Sequence, residues 1–214
     1  MKLYSLPKKT EAFIFDIDGT LYTSPEYVRE QVDTQIRHFA KIRGMTNDEA
    51  RTAVNQYRNA WSRAHGGKQI SLGNAFLHFG ISIETSIQWR NELLEPEKFL
   101  KPDPRLKNSL EQLKKKFILI CVTNNPVAAA RRTLKAVGIE QTIPLIIGLD
   151  TLGKSKPDRE LLELAAQTAG AQFSQCIAVG DRFDIDIALP LELGMGGILV
   201  DGAEDVCAIP ALFS

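Results

Sequence analysis

Ala12-Phe13-Ile14-Phe15-Asp16-Ile17-Asp18-Gly19-Thr20-Leu21-Tyr22 is the stretch around which this chain is organised. Its first four residues are apolar and unbroken, the pattern of a strand buried on both faces, and the run stops at Asp16. In a continuing strand Asp16 and Asp18 share a face, with their carboxylates within a few Å of each other. Such a pair is costly without a cation or a proton. Gly19 lets the chain turn sharply just past the pair, and Thr20 adds a hydroxyl beside it. Taken alone, Asp-x-Asp-Gly reads equally well as a strand followed by an ordinary turn, so the decision falls to the rest of the chain.

The 214 residues suffice for one large domain or for a core domain with a smaller companion. The 26 basic and 26 acidic residues leave no net charge, which argues against an electrostatic footprint for nucleic acid. No run of about 18 apolar residues marks a membrane span, and Met1 to Lys9 lacks the apolar segment of a secretory signal. Cys121, Cys176 and Cys207 are well separated and read as small core residues, not as a disulfide framework or a metal site; a reducing, cytoplasmic setting is expected.

Between Tyr22 and about Pro96 the pattern is helical throughout. From Pro25, Val28, Val32, Ile36, Phe39 and Ile42 recur every three or four residues up to Gly44. Thr46-Asn47-Asp48-Glu49 has capping-box form and opens a second helix, with Ala50, Ala53, Val54, Tyr57, Trp61 and Ala64 as its apolar stripe up to Gly66-Gly67. Shorter helices follow from Ser71 to Phe79 and from Glu84 to Leu94. The breaks at Ser24-Pro25 and from Pro96 to Pro104 bracket an inserted unit, expected over residues 22–97.

Beyond the insert, strands alternate with helices. Helix is expected at Pro104–Lys116, Pro126–Val137, Pro157–Gly170 and Asp184–Leu193. Strand is expected at Phe117–Val122, Pro144–Leu149, Cys176–Val179 and Ile198–Val200. This alternation predicts a doubly wound parallel α/β sheet, formed by residues 1–21 and 98–214, with ligands at the carboxyl ends of its strands. The polar residues fall where that rule puts chemistry. The first strand ends at Asp16 and Asp18, the second at Thr123-Asn124-Asn125-Pro126, and a later one at Gly180-Asp181 with Asp186 about one helical turn on. Lys156 adds a cation, with Lys154 a solvated neighbour. Asn125 reads as an N-cap with Pro126 at the first helical position, which leaves backbone N–H groups either for an anion or for the ordinary start of a capped helix. Pro190 falls inside the helix that carries Asp186 and offers no N–H to the Asp186 carbonyl, so a kink is expected there.

Together these features resemble the four motifs of the haloacid dehalogenase superfamily: Asp-x-Asp-Gly-Thr at Asp16 to Thr20, Thr123 after an apolar strand, Lys156 before Pro157, and Gly-Asp-x4-Asp from Gly180 to Asp186. The helical insert resembles that superfamily's cap. The resemblance implies a phosphatase in which Asp16 is the nucleophile and forms an aspartyl-phosphate. Asp18 then protonates the leaving oxygen and activates water, Thr123 and the Asn124 backbone hold phosphoryl oxygens, and Lys156 offsets charge. It further implies Mg2+ held by Asp16, the Asp18 carbonyl and Asp181, with Asp186 acting through a ligand or its water. Counting four carboxylates against one magnesium ion and one lysine, the spare proton belongs on Asp18.

Asp-Gly-Thr-Leu-Tyr, Leu100-Lys101-Pro102-Asp103 and Thr123-Asn124-Asn125 are similar to the pyrimidine 5′-nucleotidase branch. The expected partner is a small-molecule phosphate ester enclosed by the cap, for a chain acting as monomer or homodimer. Candidate substrate contacts in the cap are Arg58, Arg63, His65 and Lys68 beside Trp61, although each is more readily read as part of a solvated helix face with Trp61 in the cap core. Phosphoglycolate or sugar-phosphate hydrolysis, a phosphomutase of the same superfamily and a non-catalytic phosphate-binding protein remain as alternatives. A receiver domain fits less well because it has no helical insert after its first strand, and a dehalogenase has no need of Asp18.

Overall fold

The computed structural model describes residues 1–67 and 69–213. In chain order the strands and helices are β1 (Lys2–Ser5), β2 (Ala12–Phe15), α1 (Pro25–Arg43), α2 (Asn47–Ala64), α3 (Leu72–His78), α4 (Ile83–Leu93), α5 (Pro104–Lys114), β3 (Ile118–Val122), α6 (Val127–Val137), β4 (Leu145–Ile147), α7 (Leu149–Leu152), α8 (Arg159–Thr168), β5 (Cys176–Gly180), α9 (Ala188–Glu192), β6 (Gly196–Leu199) and α10 (Ala203–Ala208). They divide into two compact units, Met1–Pro25 with Pro96–Ser214, and Glu26–Glu95. The helical unit thus begins four residues later than the sequence pattern suggests. Tyr22 stays with the sheet, where its hydroxyl donates to Asp18.

In the first unit the strands order as β1-β6-β5-β2-β3-β4. β2 lies inside the sheet, parallel to β3 on one side and to β5 on the other, with Ala12 opposite both Ile118 and Cys176. All four β2 residues are buried, as the unbroken apolar run requires. Each large side chain among them contributes about 1.5–3 kcal/mol by leaving water. Ala12 and Ile14 join Ile120, Val122 and Ile147 in a core closed by Leu161, Leu162 and Ala165 of α8. Phe13 meets Phe117 and Phe213 edge-on in the same unit.

Two features of the sheet depart from the sequence pattern. β1 is an added edge strand, antiparallel to β6, and every one of its residues is exposed, so no apolar run marks it. β6 starts at Gly196, two residues earlier than expected, because its glycines serve packing. A Cβ at Gly196 would lie 2.7 Å from Pro7 Cδ, and one at Gly197 would lie 3.0 Å from Ile187 Cγ2. The continuous helix expected over Asp184–Leu193 is also interrupted. Phe183–Ile187 forms a π-helical turn, in which Ala188 N–H bonds to the Phe183 carbonyl, and α9 follows. Pro190 has no N–H for the Asp186 carbonyl, and the wider turn immediately upstream carries Asp186.

The helical unit has its own core of Ile36, Phe39, Val54, Leu72, Phe76, Ile81 and Trp89. At α2 both halves of the Thr46/Glu49 capping box form. The buried face of α1 is rotated from the expected stripe. Val28 and Ile42 are exposed, whereas Gln31 and Gln35 are buried. Gln35 accepts from Arg90 Nε at 3.2 Å and donates to the Gln31 carbonyl at 2.6 Å, so a polar network takes up part of that face. Among the described residues no helix is long and apolar enough to cross a membrane.

Candidate active site

β2 ends at Asp16, which is buried at 3% exposure where the two neighbouring strands also end. Lys156, from the loop before α8, places Nζ 2.5 Å from Asp16 Oδ1 and 2.7 Å from Asp186 Oδ1. The Lys156–Pro157 peptide is cis. Asn124 grips the backbone of Lys156: its Oδ1 accepts from Lys156 N at 2.6 Å and its Nδ2 donates to the Lys156 carbonyl at 3.4 Å. The expected Pro157 start of α8 moves to Arg159, because Asp158 is the N-cap, accepting from Glu160 N and Leu161 N.

Two glycines allow the carboxylates to converge. Gly19 has φ +84°, and a Cβ there would lie 2.6 Å from Asp181 Oδ2. At Gly180 a Cβ would lie 2.3 Å from Asp186 Cβ, so only glycine lets the π turn fold back against the end of β5. As a result, carboxylate oxygens of Asp16, Asp181 and Asp186 all lie within 4.8 Å of one another. Asp16 Oδ2 and Asp181 Oδ1 are buried without a hydrogen-bond partner among the described residues. An unpartnered anionic oxygen is expensive in such a place, and an all-oxygen set of this kind suits a hard divalent cation.

The electrostatics follow from burial. Desolvation pushes the Asp16 carboxyl up to about 7, with Lys156 pulling the other way and Asp186 adding to the rise. Asp181 is raised as well, again chiefly by burial. For Lys156, burial alone would lower the pKa; Asp16 and Asp186 more than offset it, and the ammonium is held above the usual lysine value. Arg182 was not among the residues that the sequence pattern singled out. Its Nε lies 3.6 Å from Asp181 Oδ1 and 3.7 Å from Asp186 Oδ2, adding a half-exposed cation to the rim.

Asp18 stands beside this cluster. Its Oδ1 accepts from the Tyr22 hydroxyl at 2.6 Å and its Oδ2 from Asn125 Nδ2 at 2.8 Å. That corrects the expected role of Asn125. The N-cap of α6 is Pro126, without a side-chain cap bond, and the Asn125 side chain turns to Asp18 instead. The first α6 amide, Val127 N, bonds to Asp150 Oδ1 at 2.8 Å, so this N–H is already satisfied. Thr123 is fully buried, and its hydroxyl oxygen accepts from Asn125 N at 3.1 Å. Position four after Asp18 and the turn after β3 were the available signals for Tyr22 and Asn125.

Arg58, Trp61 and Arg63 lie on α2, in the helical unit. Arg58 is tied to that unit's own backbone by Nε to the Ile70 carbonyl at 3.2 Å. One face of Trp61 is covered by His65, ring centroids 3.9 Å apart. Arg63 is exposed. Lys68 lies outside the described residues.

A doubly wound sheet whose inner strand ends in a buried carboxylate, locked to a lysine and facing further carboxylates, defines an α/β protein with an acidic, cation-ready site at the carboxyl ends of its strands. The chain belongs to the haloacid dehalogenase-like hydrolases, whose family model matches residues 10–193. It is 27% identical to a phosphoglycolate phosphatase of Pseudomonas savastanoi, over 85% of this chain and 66% of that one. It is 22% identical to 5-amino-6-(5-phospho-D-ribitylamino)uracil phosphatase YigB of Escherichia coli, over 91% of this chain and 85% of that one. Its fold is similar to that of a haloacid dehalogenase-type phosphatase from Thermococcus onnurineus, with a TM-score of 0.60 and 20% identity over 89% of this chain and 86% of that one.

Proposed function

We propose that this hydrolase cleaves small phosphomonoesters through an aspartyl-phosphate on Asp16, with Mg2+ bound. The observation that carries the reading is the buried Lys156 bridge between Asp16 and Asp186, which leaves Asp16 Oδ2 unpartnered among the described residues beside Asp181. The Asp16 and Asp181 carboxylates and the Asp18 carbonyl would hold the cation, which supplies positive charge to offset that of the phosphoryl oxygens. Asp186 is spent on Lys156 and on Arg182 N, which suits a role in holding other ligands in place.

In the first step an Asp16 oxygen attacks phosphorus. The P–O ester bond breaks, its electron pair goes to the ester oxygen, and that oxygen takes a proton from Asp18. In the second step Asp18 takes a proton from water as the water oxygen attacks phosphorus, and inorganic phosphate departs from a restored Asp16. The Thr123 hydroxyl, the Asn124 N–H and Lys156 receive the phosphoryl oxygens. Choice of the leaving group is assigned to the helical unit, with Arg58, Trp61 and Arg63 as its candidate contacts.

Two substrate readings stand within this class. A pyrimidine nucleoside 5′-monophosphate is supported by Asp-Gly-Thr-Leu-Tyr and Thr123-Asn124-Asn125, and a short metabolite ester by the relative named for phosphoglycolate. Phosphate release from a panel of esters separates them, with a preference for UMP and CMP or for phosphoglycolate as the deciding result. Isomerised product without free phosphate would instead mean a mutase. Asp16→Asn should fold and lose nearly all turnover, because an amide forms no acyl-phosphate; turnover within about tenfold of the parent would overturn the assignment. Binding of magnesium with no ester turned over would replace catalysis with phosphate binding.

A further inference from the structure

The hydrogen bonds at Asp18 extend the reading just given, on which this inference rests. A free aspartate side chain turns about two torsions, and a proton carrier must present one oxygen to one point. Here each Asp18 oxygen meets a donor from a different element: Tyr22 follows four residues later in the same turn, and Asn125 comes from the turn between β3 and α6. Neither donor is loosely held. Tyr22 is 4% exposed, and Asn125 is fixed through its own backbone, N–H to Thr123 Oγ1 at 3.1 Å and carbonyl to Leu149 N at 3.0 Å. The side-chain amide can serve a carboxylate only through its NH2, which is the end it presents. A phenol hydroxyl both donates and accepts, so its contact survives while the proton leaves Asp18 and returns.

We infer that Tyr22 and Asn125 are positioning residues that aim the Asp18 carboxyl at the departing ester oxygen. Neither touches the phosphoryl group in this scheme; both act through Asp18. The chemistry gives the role a specific signature. As the P–O bond breaks, its electron pair collects on the ester oxygen, and the need for a proton there depends on how basic that oxygen becomes. Nitrophenolate leaves with little help, whereas an alkoxide requires the proton. An Asp18 that is present but poorly aimed therefore penalises alkyl esters selectively.

The test compares kcat/KM, which reports the step that expels the leaving group, for p-nitrophenyl phosphate and for the best alkyl ester of the panel. Tyr22→Phe retains the buried ring and removes only the hydroxyl, Asn125→Leu removes the other donor, and Asp18→Asn is the reference; thermal melts establish that each variant is folded. Tyr22→Phe is expected to cost the alkyl ester about tenfold more than the nitrophenyl ester, with Asp18→Asn showing a larger gap of the same sign. An equal loss on both esters, or no loss on the alkyl ester, in Tyr22→Phe and Asn125→Leu while Asp18→Asn keeps its gap would overturn the positioning role alone. Absence of any gap in Asp18→Asn would remove Asp18 as the proton carrier and the inference with it.

Discussion

Replacing Lys156 with methionine, which keeps the length of the side chain and removes the charge, probes the centre of the sheet unit directly. Its Nζ sits between Asp16 Oδ1 and Asp186 Oδ1, and both carboxylate side chains are no more than 3% exposed. Removing one partner of a buried ion pair leaves uncompensated charge and costs about 3–5 kcal/mol. At about 2–4 °C per kcal/mol for a chain of this size, the melting temperature in chelator should fall by about 6–20 °C at neutral pH. The loss should depend on pH in a definite direction. Burial raises folded-state Asp16 to about 7, so in the parent the stability tied to this carboxyl is fully present below its ordinary unfolded value and is lost as pH rises through the raised one. The lysine offsets Asp16 only once that carboxyl is charged. At about pH 5 protonation relieves much of the repulsion in the variant, and the gap between parent and variant should shrink. Paired thermal melts at the two pH values provide the measurement. A loss below about 1 kcal/mol at neutral pH, the range of an exposed pair, would refute the claim that this bridge is buried and structural; a gap of equal size at both pH values would refute the role given to Asp16.

Gly19→Ala forces a left-handed backbone onto a residue with a Cβ, at about 1–2 kcal/mol, and drives that Cβ against Asp181. Both melting temperature and magnesium affinity should drop, and unchanged affinity by titration would separate Gly19 from the cation site. Magnesium at about a hundred times its dissociation constant should stabilise the parent by about 2.7 kcal/mol, read as a rise in melting temperature. Because proton and cation compete for Asp16, at one fixed magnesium concentration this rise should grow as pH increases through about 7 and then level off; a shift independent of pH would remove Asp16 from the ligand set, and full activity in excess chelator would remove the metal. Calcium should bind to the same carboxylates and inhibit, since its larger and less rigid coordination would hold Asp16 less firmly in line for attack; calcium-supported turnover equal to that with magnesium would contradict this.

What could be read in the sequence was whatever local chemistry dictates. The apolar run before Asp16, the Thr46/Glu49 box and the βαβ alternation each follow from a few neighbouring residues, and the helices and parallel strands stand close to where they were expected. What escaped depends on partners distant in the chain. β1 has no apolar signal because only its hydrogen bonds to β6 make it a strand. Gly196 and Gly197 look like a loop until Pro7 and Ile187 occupy the space where side chains would be. Gln31 and Gln35 look like surface until Arg90 arrives from α4. At the site, Asn125 looked like a helix cap because Asn before Pro so often is one. Its real acceptor, Asp18, lies on another strand's turn. The motif residues were visible, whereas the residues that hold Asp18 and the second cation at Arg182 were not, since their significance exists only in three dimensions.

The position of β2 also carries a consequence for the order in which this protein is made. β2 leaves the ribosome ahead of both its hydrogen-bonding partners, β3, beyond the whole helical unit, and β5, further still. Until the second of these has been synthesised, this fully buried strand has only one permanent neighbour, and Asp186, which follows β5 in the chain, is not yet present to share Lys156 with Asp16. The helical unit, with a core of its own, can close first and shorten the loop whose ends must then meet, which lowers the entropic cost of joining β2 to β3. The carboxylate cluster is consequently completed only after β5, once Asp186 has been added. Ala12 to Phe15 is thus an apolar segment left exposed across the synthesis of the whole helical unit, the kind of segment a chaperone covers.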